Sequence, residues 1–157
     1  MRFRFTQLSD DSITAINQVI ESSIQAWQLS DRLYRLSINA YRYSPSDWID
    51  HRFYGLMDQN NTLVGVLVFN EDASELPDYH QCLQIHGLYV CQNRQDQGVG
   101  SQCIDEAVML TRKLDLNTLF VKAHESAVGF FKHQGFNEIP VQDALRDYPH
   151  RLVRSVI

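Results

Sequence analysis

The sequence predicts one layered α/β domain, a mixed sheet with helices on its faces. Apolar residues recur every three or four positions in several stretches, and strand-length apolar runs lie between those stretches. No linker, repeat or low-complexity segment splits the chain. At 157 residues and 18.2 kDa there is room for one proper core.

Arg2 to Leu8 alternates charged and aromatic residues, as an edge strand does. Asp10, Asp11 and Ser12 are candidate N-caps for a helix striped by Ile13, Ile16, Ile20, Ile24 and Trp27. Ser30-Asp31 starts a second helix, with Leu33, Leu36 and Ala40 on one face and Tyr34, Ile38 and Tyr41 beside it. Ser44-Pro45-Ser46-Asp47 reads as another helix start, with Pro at the first helical position. Phe53 to Met57 and Thr62 to Phe69 flank the turn formers Asp58-Gln59-Asn60-Asn61, which predicts an antiparallel hairpin. Glu71 to Tyr79 is a polar loop, and Gln81 to Val90 a long strand. After the polar Cys91 to Gln97, Gly98-Val99-Gly100-Ser101 opens a helix with Ile104, Ala107, Val108 and Leu114 inward. Thr118 to Val121 is a short strand, and Ala127 to Gln134 a short helix stopped by Gly135. Phe136 to Val141 and Leu152 to Ile157 are closing strands.

Composition narrows the function. The net charge is −5 and no Lys/Arg run occurs, which argues against a general nucleic-acid binder. No apolar stretch approaches the ~18 residues of a membrane span, and Met1 to Phe5 lacks a signal peptide's apolar core. A cytoplasmic protein is the expectation. The odd set Cys82, Cys91 and Cys103 fits reduced thiols, Cys91 being read as a small buried thiol rather than a nucleophile. The six histidines fall at no zinc-ligand spacing, so no metal site is expected.

The chemistry concentrates in Gln84 to Phe136. A strand ends at Val90, a polar loop follows, and glycines two apart open a helix. The amides of such a loop and first helical turn have no intrahelical partner and attract a phosphate or pyrophosphate. Gly98 and Gly100 let the backbone approach closely. A P-loop would need Gly-Lys-Ser/Thr, but Gly100-Ser101-Gln102 has no Lys; a dinucleotide fingerprint would need glycine where Cys103 stands.

Gln95-Asp96-Gln97-Gly98-Val99-Gly100 resembles the Gln/Arg-x-x-Gly-x-Gly/Ala pyrophosphate loop of the GNAT (general N-acetyltransferase) superfamily. Leu88-Tyr89-Val90 is similar to a frequent strand ending there, and Ala127 to Phe136 resembles the later Ala-x-x-Phe-Tyr-x-x-x-Gly-Phe block. The resemblance implies a single N-acetyltransferase domain over 1–157, with a mostly antiparallel sheet and a cofactor cleft where the fourth strand splays from the fifth. It implies acetyl-CoA as cosubstrate and direct acetyl transfer to a primary amine on a small molecule, protein or peptide. Main-chain groups of Leu88 and Val90 would hydrogen-bond the pantetheine arm, with Tyr89 between them in the cofactor-binding set, and Gln95, Asp96, Gln97, Gly98, Val99, Gly100 and Ser101 would wrap the pyrophosphate. His124 stands where the family often has a cofactor-contacting Asn, and Phe131 beside the thioester. Acetyl-CoA and an amine acceptor are the expected partners, with no nucleic acid or membrane, and a homodimer is left open.

The sequence departs from the family pattern at two positions. The common Tyr that protonates the thiolate is Phe131, and the frequent Glu base is Gln84. His86 lies two residues on, on the same strand face if no bulge intervenes, and is the candidate base; a wall histidine is the other reading. His124 reads as cofactor contact or loop residue before base, and Glu125 as a helix-start carboxylate. Most of the aromatics Trp27, Tyr34, Tyr41, Tyr43, Trp48, Phe53 and Tyr54 are core or interface, a minority lining the acceptor pocket. Asp143, Arg146, Asp147 and His150 belong to a polar loop. The alternative to an enzyme is a catalytically weak or inactive acyl-CoA-binding module acting as sensor or partner-binding protein.

Overall fold

Apolar runs and polar turns fold into strands β1 (Arg4–Leu8), β2 (His51–Met57), β3 (Leu63–Asn70), β4 (Ser74–Leu76), β5 (His80–Val90), β6 (Thr118–Lys122), β7 (Asn137–Glu138) and β8 (Arg151–Ser155) in a computed structural model. The structure describes residues 3–157, the His80 side chain apart; Arg2, the expected start of the first strand, lies outside the described residues. Helices are α1 (Ile13–Gln25), α2 (Asp31–Tyr41), α3 (Val99–Lys113) and α4 (Val128–His133). Sheet order is β1-β2-β3-β5-β6-β8-β7, with β4 paired to the start of β5. Every pairing is antiparallel except β5 with β6.

The sheet is buried on both faces. Ile16, Val19, Ile20 and Ile24 of α1 pack with Phe53, Val66, Val68 and Tyr89 on one side. On the other, Val99, Cys103, Ile104 and Ala107 of α3 pack with Leu56, Leu67, Ile85 and Leu119. Burial from both sides explains why β3 reads as a nearly continuous apolar run. Gly65 admits α3 onto this strand, because a Cβ there would lie 2.8 Å from Val99 Cγ1.

Several expectations shift by identifiable causes. In α2 the stripe Tyr34, Ile38 and Tyr41 packs on the α1 side of the core, whereas Leu33 and Leu36 are exposed. Ser30 Oγ caps that helix by accepting from the Leu33 N–H at 3.3 Å. Ser12 occupies the N-cap of α1 without a side-chain capping bond. Leu114, expected inward, is at the C-cap of α3 and exposed. Pro45–Ile49 is a 3₁₀ turn started by the expected box, Asp47 Oδ2 accepting from the Ser44 N–H at 2.7 Å. The expected loop 71–79 contains β4, and the closing strand at 136–141 shortens to β7. After Ile139 donates to the Arg151 carbonyl, Pro140 has no N–H with which to extend the ladder.

Candidate active site

The pairing of β5 and β6 is short. Leu83, Gln84 and Ile85 sit opposite Leu119, Phe120 and Val121, and the register stops there although β5 runs on to Val90. From His86 to Val90 the β5 edge facing β6 has no strand partner, so its amides and carbonyls are available to a ligand. This is the splayed cleft, lying between the fifth and sixth strands by chain count because β4 intervenes.

A bulge coincides with the divergence. Val68 faces Gly87 while Phe69 faces Ile85, which leaves His86 as the extra residue. The bulge therefore intervenes, yet His86 and Gln84 still open on one cavity, of about 610 Å³, together with His51, Asn70 and Lys122. Beyond it, Leu88 and Val90 turn toward the α3 side while Tyr89 packs on the α1 side. Tyr89, expected among the cofactor contacts, has neither part free for a ligand's arm: the residue is 8% exposed with its ring in the core, and its amide and carbonyl face Val66 of β3, in the register set by the Cys91 N–H donating to the Val64 carbonyl.

At the end of β5, the turn Gln92–Arg94 leads into Asp96 at φ 63° and Gly98 at φ 83°, both left-handed. Glycine at 98 carries the helix cap without backbone strain. Gly100 serves packing instead, since a Cβ there would lie 3.0 Å from Phe130 Cε1. Gln95, Asp96, Gly98, Val99, Gly100 and Ser101 line a cavity of about 370 Å³ closed on its far side by Phe130, Phe131 and Gln134 of α4 and its C-cap. Gln97 does not line it; its side chain donates to the Asn93 carbonyl at 3.2 Å. Gln95 Nε2 donates to the Val90 carbonyl at 3.3 Å, joining loop to open strand edge. Gln134 Nε2 donates to Ser101 Oγ at 2.9 Å.

Arg94 also lines this cavity and donates to the buried carboxylate of Asp58 at 2.6 Å. Amides of Thr62 and Asn60, with Arg94, hold that carboxylate below the usual range against the cost of burial. The β2–β3 turn is thereby tied to the loop before α3. No local pattern marks this pair, whose members lie 36 positions apart.

A third cavity, about 730 Å³, shares Leu88, Gln95, Ala127 and Phe131 with the loop cavity and His86, Lys122 and Tyr148 with the polar one. The three make one trench from anion loop to His86. Phe131 is 5% exposed, with Phe130 and Phe136 at ring-centroid distances of 5.2 Å. His124 N-caps the turn Glu125–Ala127, its Nδ1 accepting from the Ser126 N–H at 3.2 Å, and its ring stacks on Trp27.

His86 is exposed at the junction of the two larger cavities. Its Nδ1 lies 2.8 Å from the Tyr43 hydroxyl, and its ring centroid 4.1 Å from that of His51. Desolvation first, then the neighbouring His51, pushes its pKa below the ordinary histidine value, with Asp47 pulling the other way and Lys122 adding to the decrease. Burial, reinforced by Tyr89, raises the pKa of Tyr43, which stays a phenol. Gln84 Oε1 accepts from Asn70 Nδ2 at 3.0 Å and Ser74 Oγ at 2.7 Å, so this neutral amide is a fixed part of the wall. Tyr43, named only within the group of aromatics of which a minority line the acceptor pocket, contacts His86 as His51 does, and Tyr148 lines the same cavities; only the fold brings these distant residues together. Among the described residues, no group of three or more metal-ligating side chains converges.

A splayed parallel pair with a glycine-opened helix at the strand's end is the arrangement that the GNAT resemblance leads one to expect. The profile of the acetyltransferase (GNAT) family matches residues 21–136, and the chain belongs to that family. PaiA N-acetyltransferase from Thermoplasma acidophilum, in complex with coenzyme A, superposes with TM-score 0.77 at 16% identity, over 99% of each chain. A GCN5-related N-acetyltransferase from Rhodopseudomonas palustris gives TM-score 0.73 at 16% identity, over 99% of this chain and 96% of that one. The ribosomal-protein-S18-alanine N-acetyltransferase from Escherichia coli gives 0.65 at 12%, over 98% and 93%. No curated protein matches the sequence. No helix among the described residues is long and apolar enough to cross a membrane.

Proposed function

We propose that the whole chain is one N-acetyltransferase domain that moves an acetyl group directly from acetyl-CoA to a primary amine. The observation that carries this is the unpaired β5 edge, His86 to Val90, running into a loop with left-handed Gly98 at the head of α3. Those residues suit the cosubstrate. The loop and the first amides of α3 would hold the pyrophosphate, and the main chain of Leu88 and Val90, which faces the open edge, the pantetheine. Bound acetyl-CoA supplies an acetyl thioester as electrophile and a thiolate as leaving group.

An amine with a lysine-like pKa of ~10.4 costs roughly 4–5 kcal/mol to neutralise at pH 7. His86, neutral at that pH and opening on the polar cavity, is assigned the role of base that removes this proton, directly or through water. Tyr43 fixes the ring at Nδ1. With Nδ1–H donating to the Tyr43 oxygen, Nε2 keeps its lone pair for the proton. The Val90 N–H region is the candidate donor to the thioester oxygen. Phe131 has no proton for the thiolate, so that proton comes from solvent or from the histidine that collected it. Asp50 and Asp72 on the acceptor cavity suit a cationic amine, with Lys122 at the His86 end as the opposing charge.

Phe131 and Gln84 also favour a second reading, an acyl-CoA-binding module without turnover. Release of CoA thiol from acetyl-CoA across a panel of mono-, di- and peptidyl amines, run beside acetyl-CoA calorimetry, separates them. Amine-dependent release supports the enzyme; tight binding with release no faster than without protein supports the module.

A further inference from the structure

The cleft carries a crossbar. Trp27 follows the C-terminal end of α1, which packs against β3 and β5; His124 follows β6. These are opposite banks of the splay, yet the two rings stack with centroids 5.1 Å apart and planes 12° from parallel. Tyr41 buttresses Trp27 edge-on at 5.6 Å, and itself meets Tyr89 of β5 at 6.4 Å. Both stacked rings line the 730 Å³ cavity with Leu88 and Phe131, and neither lines the cavity of the anion loop. A ligand whose phosphates sit at that loop and whose arm extends along β5 toward His86 therefore passes the crossbar with its arm and not with its phosphates.

We infer that the Trp27–His124 stack is a clasp that holds the arm of acyl-CoA in the splay, making Trp27 a positioning residue for the thioester; this rests on the acyltransferase reading above. The stacked pair bridges the two banks and lines the cavity that the arm would cross, which suits an extended, uncharged amide-and-methylene arm. The nucleotide end has its own contacts at the loop. Loss of the clasp should therefore be felt only by ligands that carry the arm.

Calorimetry on the full chain compares CoA with adenosine 3′-phosphate 5′-diphosphate, which keeps phosphates and lacks the arm. Trp27→Ala is expected to weaken CoA about tenfold while the fragment stays within about twofold. Trp27→Phe, which keeps a ring and the packing on Tyr41, is expected to recover most of the loss. Indole emission, taken as wild type minus Trp27→Phe so that Trp48 cancels, should change on adding CoA and not on adding the fragment. That measurement stands even where Trp27→Ala fails to fold. Equal weakening of both ligands means a scaffold residue and overturns the clasp. So does unchanged CoA affinity, or emission that ignores CoA. A folded wild type that binds neither ligand overturns the acyltransferase reading itself.

Discussion

Gly87→Ala probes whether packing at the bulge holds the base. A Cβ at 87 would lie 2.6 Å from Tyr89 Cε2 and 2.9 Å from the Tyr43 hydroxyl. Neither ring can swing into solvent, since Tyr43 is 5% and Tyr89 8% exposed. The φ of Gly87 is not positive, so the cost is steric rather than conformational. Overpacking of this kind costs about 1–3 kcal/mol. At roughly 2–4 °C per kcal/mol for a chain of this size, Tm should fall by about 2–12 °C. Relief of the 2.9 Å contact requires the Tyr43 oxygen to move by roughly half an ångström or more. The 2.8 Å bond to His86 Nδ1 then lengthens or bends out of range. A base displaced by ~1 Å loses up to about 10²-fold in rate, so kcat should fall well beyond what the lower Tm explains. Melting by circular dichroism and thiol release at several pH values are the assays. A folded variant with unchanged Tm and an unchanged pH profile would refute the idea that Tyr43 and Tyr89 set the position of His86.

His86→Gln is expected to lower kcat/KM at pH 7 by about 10²–10⁴ with little change in acetyl-CoA affinity. Because the His86 pKa is lowered, the ring gains its proton only below the ordinary value of 6.5; the wild-type acid limb should fall there and flatten in the variant. The same sign makes protonation unfavourable in the fold, so this histidine withdraws stability as pH drops from 6.5 toward its lowered pKa, and the variant should melt with less acid sensitivity. Gly98→Asp or Gly100→Asp puts a carboxylate at the anion loop; calorimetry should show acetyl-CoA binding lost in a folded protein, and unchanged affinity would remove the loop assignment. Phe131→Tyr adds one hydroxyl beside the thioester position and should keep or raise turnover where thiolate protonation limits it. Lost activity with intact CoA binding would show that the site needs that space apolar.

What could be read from the chain follows the range of the interactions. The loop Gln95 to Ser101 is local: the strand before it and α3 after it lie within one short segment, and the left-handed Gly98 at the head of α3 forms where the glycines place it. The hairpin over Asp58 to Asn61 and the capping box at Ser44 are equally local, and both form. The α2 face was less legible because two stripes compete on one helix, and the choice depends on Trp27 and Tyr89, which take the Tyr41 ring. β4 hides in a polar segment whose pairing depends on β5. The bulge at His86 exists only relative to β3, which no pattern within β5 reveals. His86 with Tyr43, Arg94 with Asp58 and Trp27 with His124 are all contacts between distant segments, made once the sheet has assembled.

The most direct measurement follows both products of one reaction. Purified protein, acetyl-CoA and a panel of primary amines are incubated at pH 7. Free thiol is titrated and N-acetylated amine is quantified by mass spectrometry in the same samples. Direct transfer predicts, for at least one amine, equal amounts of thiol and amide, both abolished in Gly98→Asp. Thiol released without amide, or neither product with acetyl-CoA demonstrably bound, would contradict acetyl transfer to an amine.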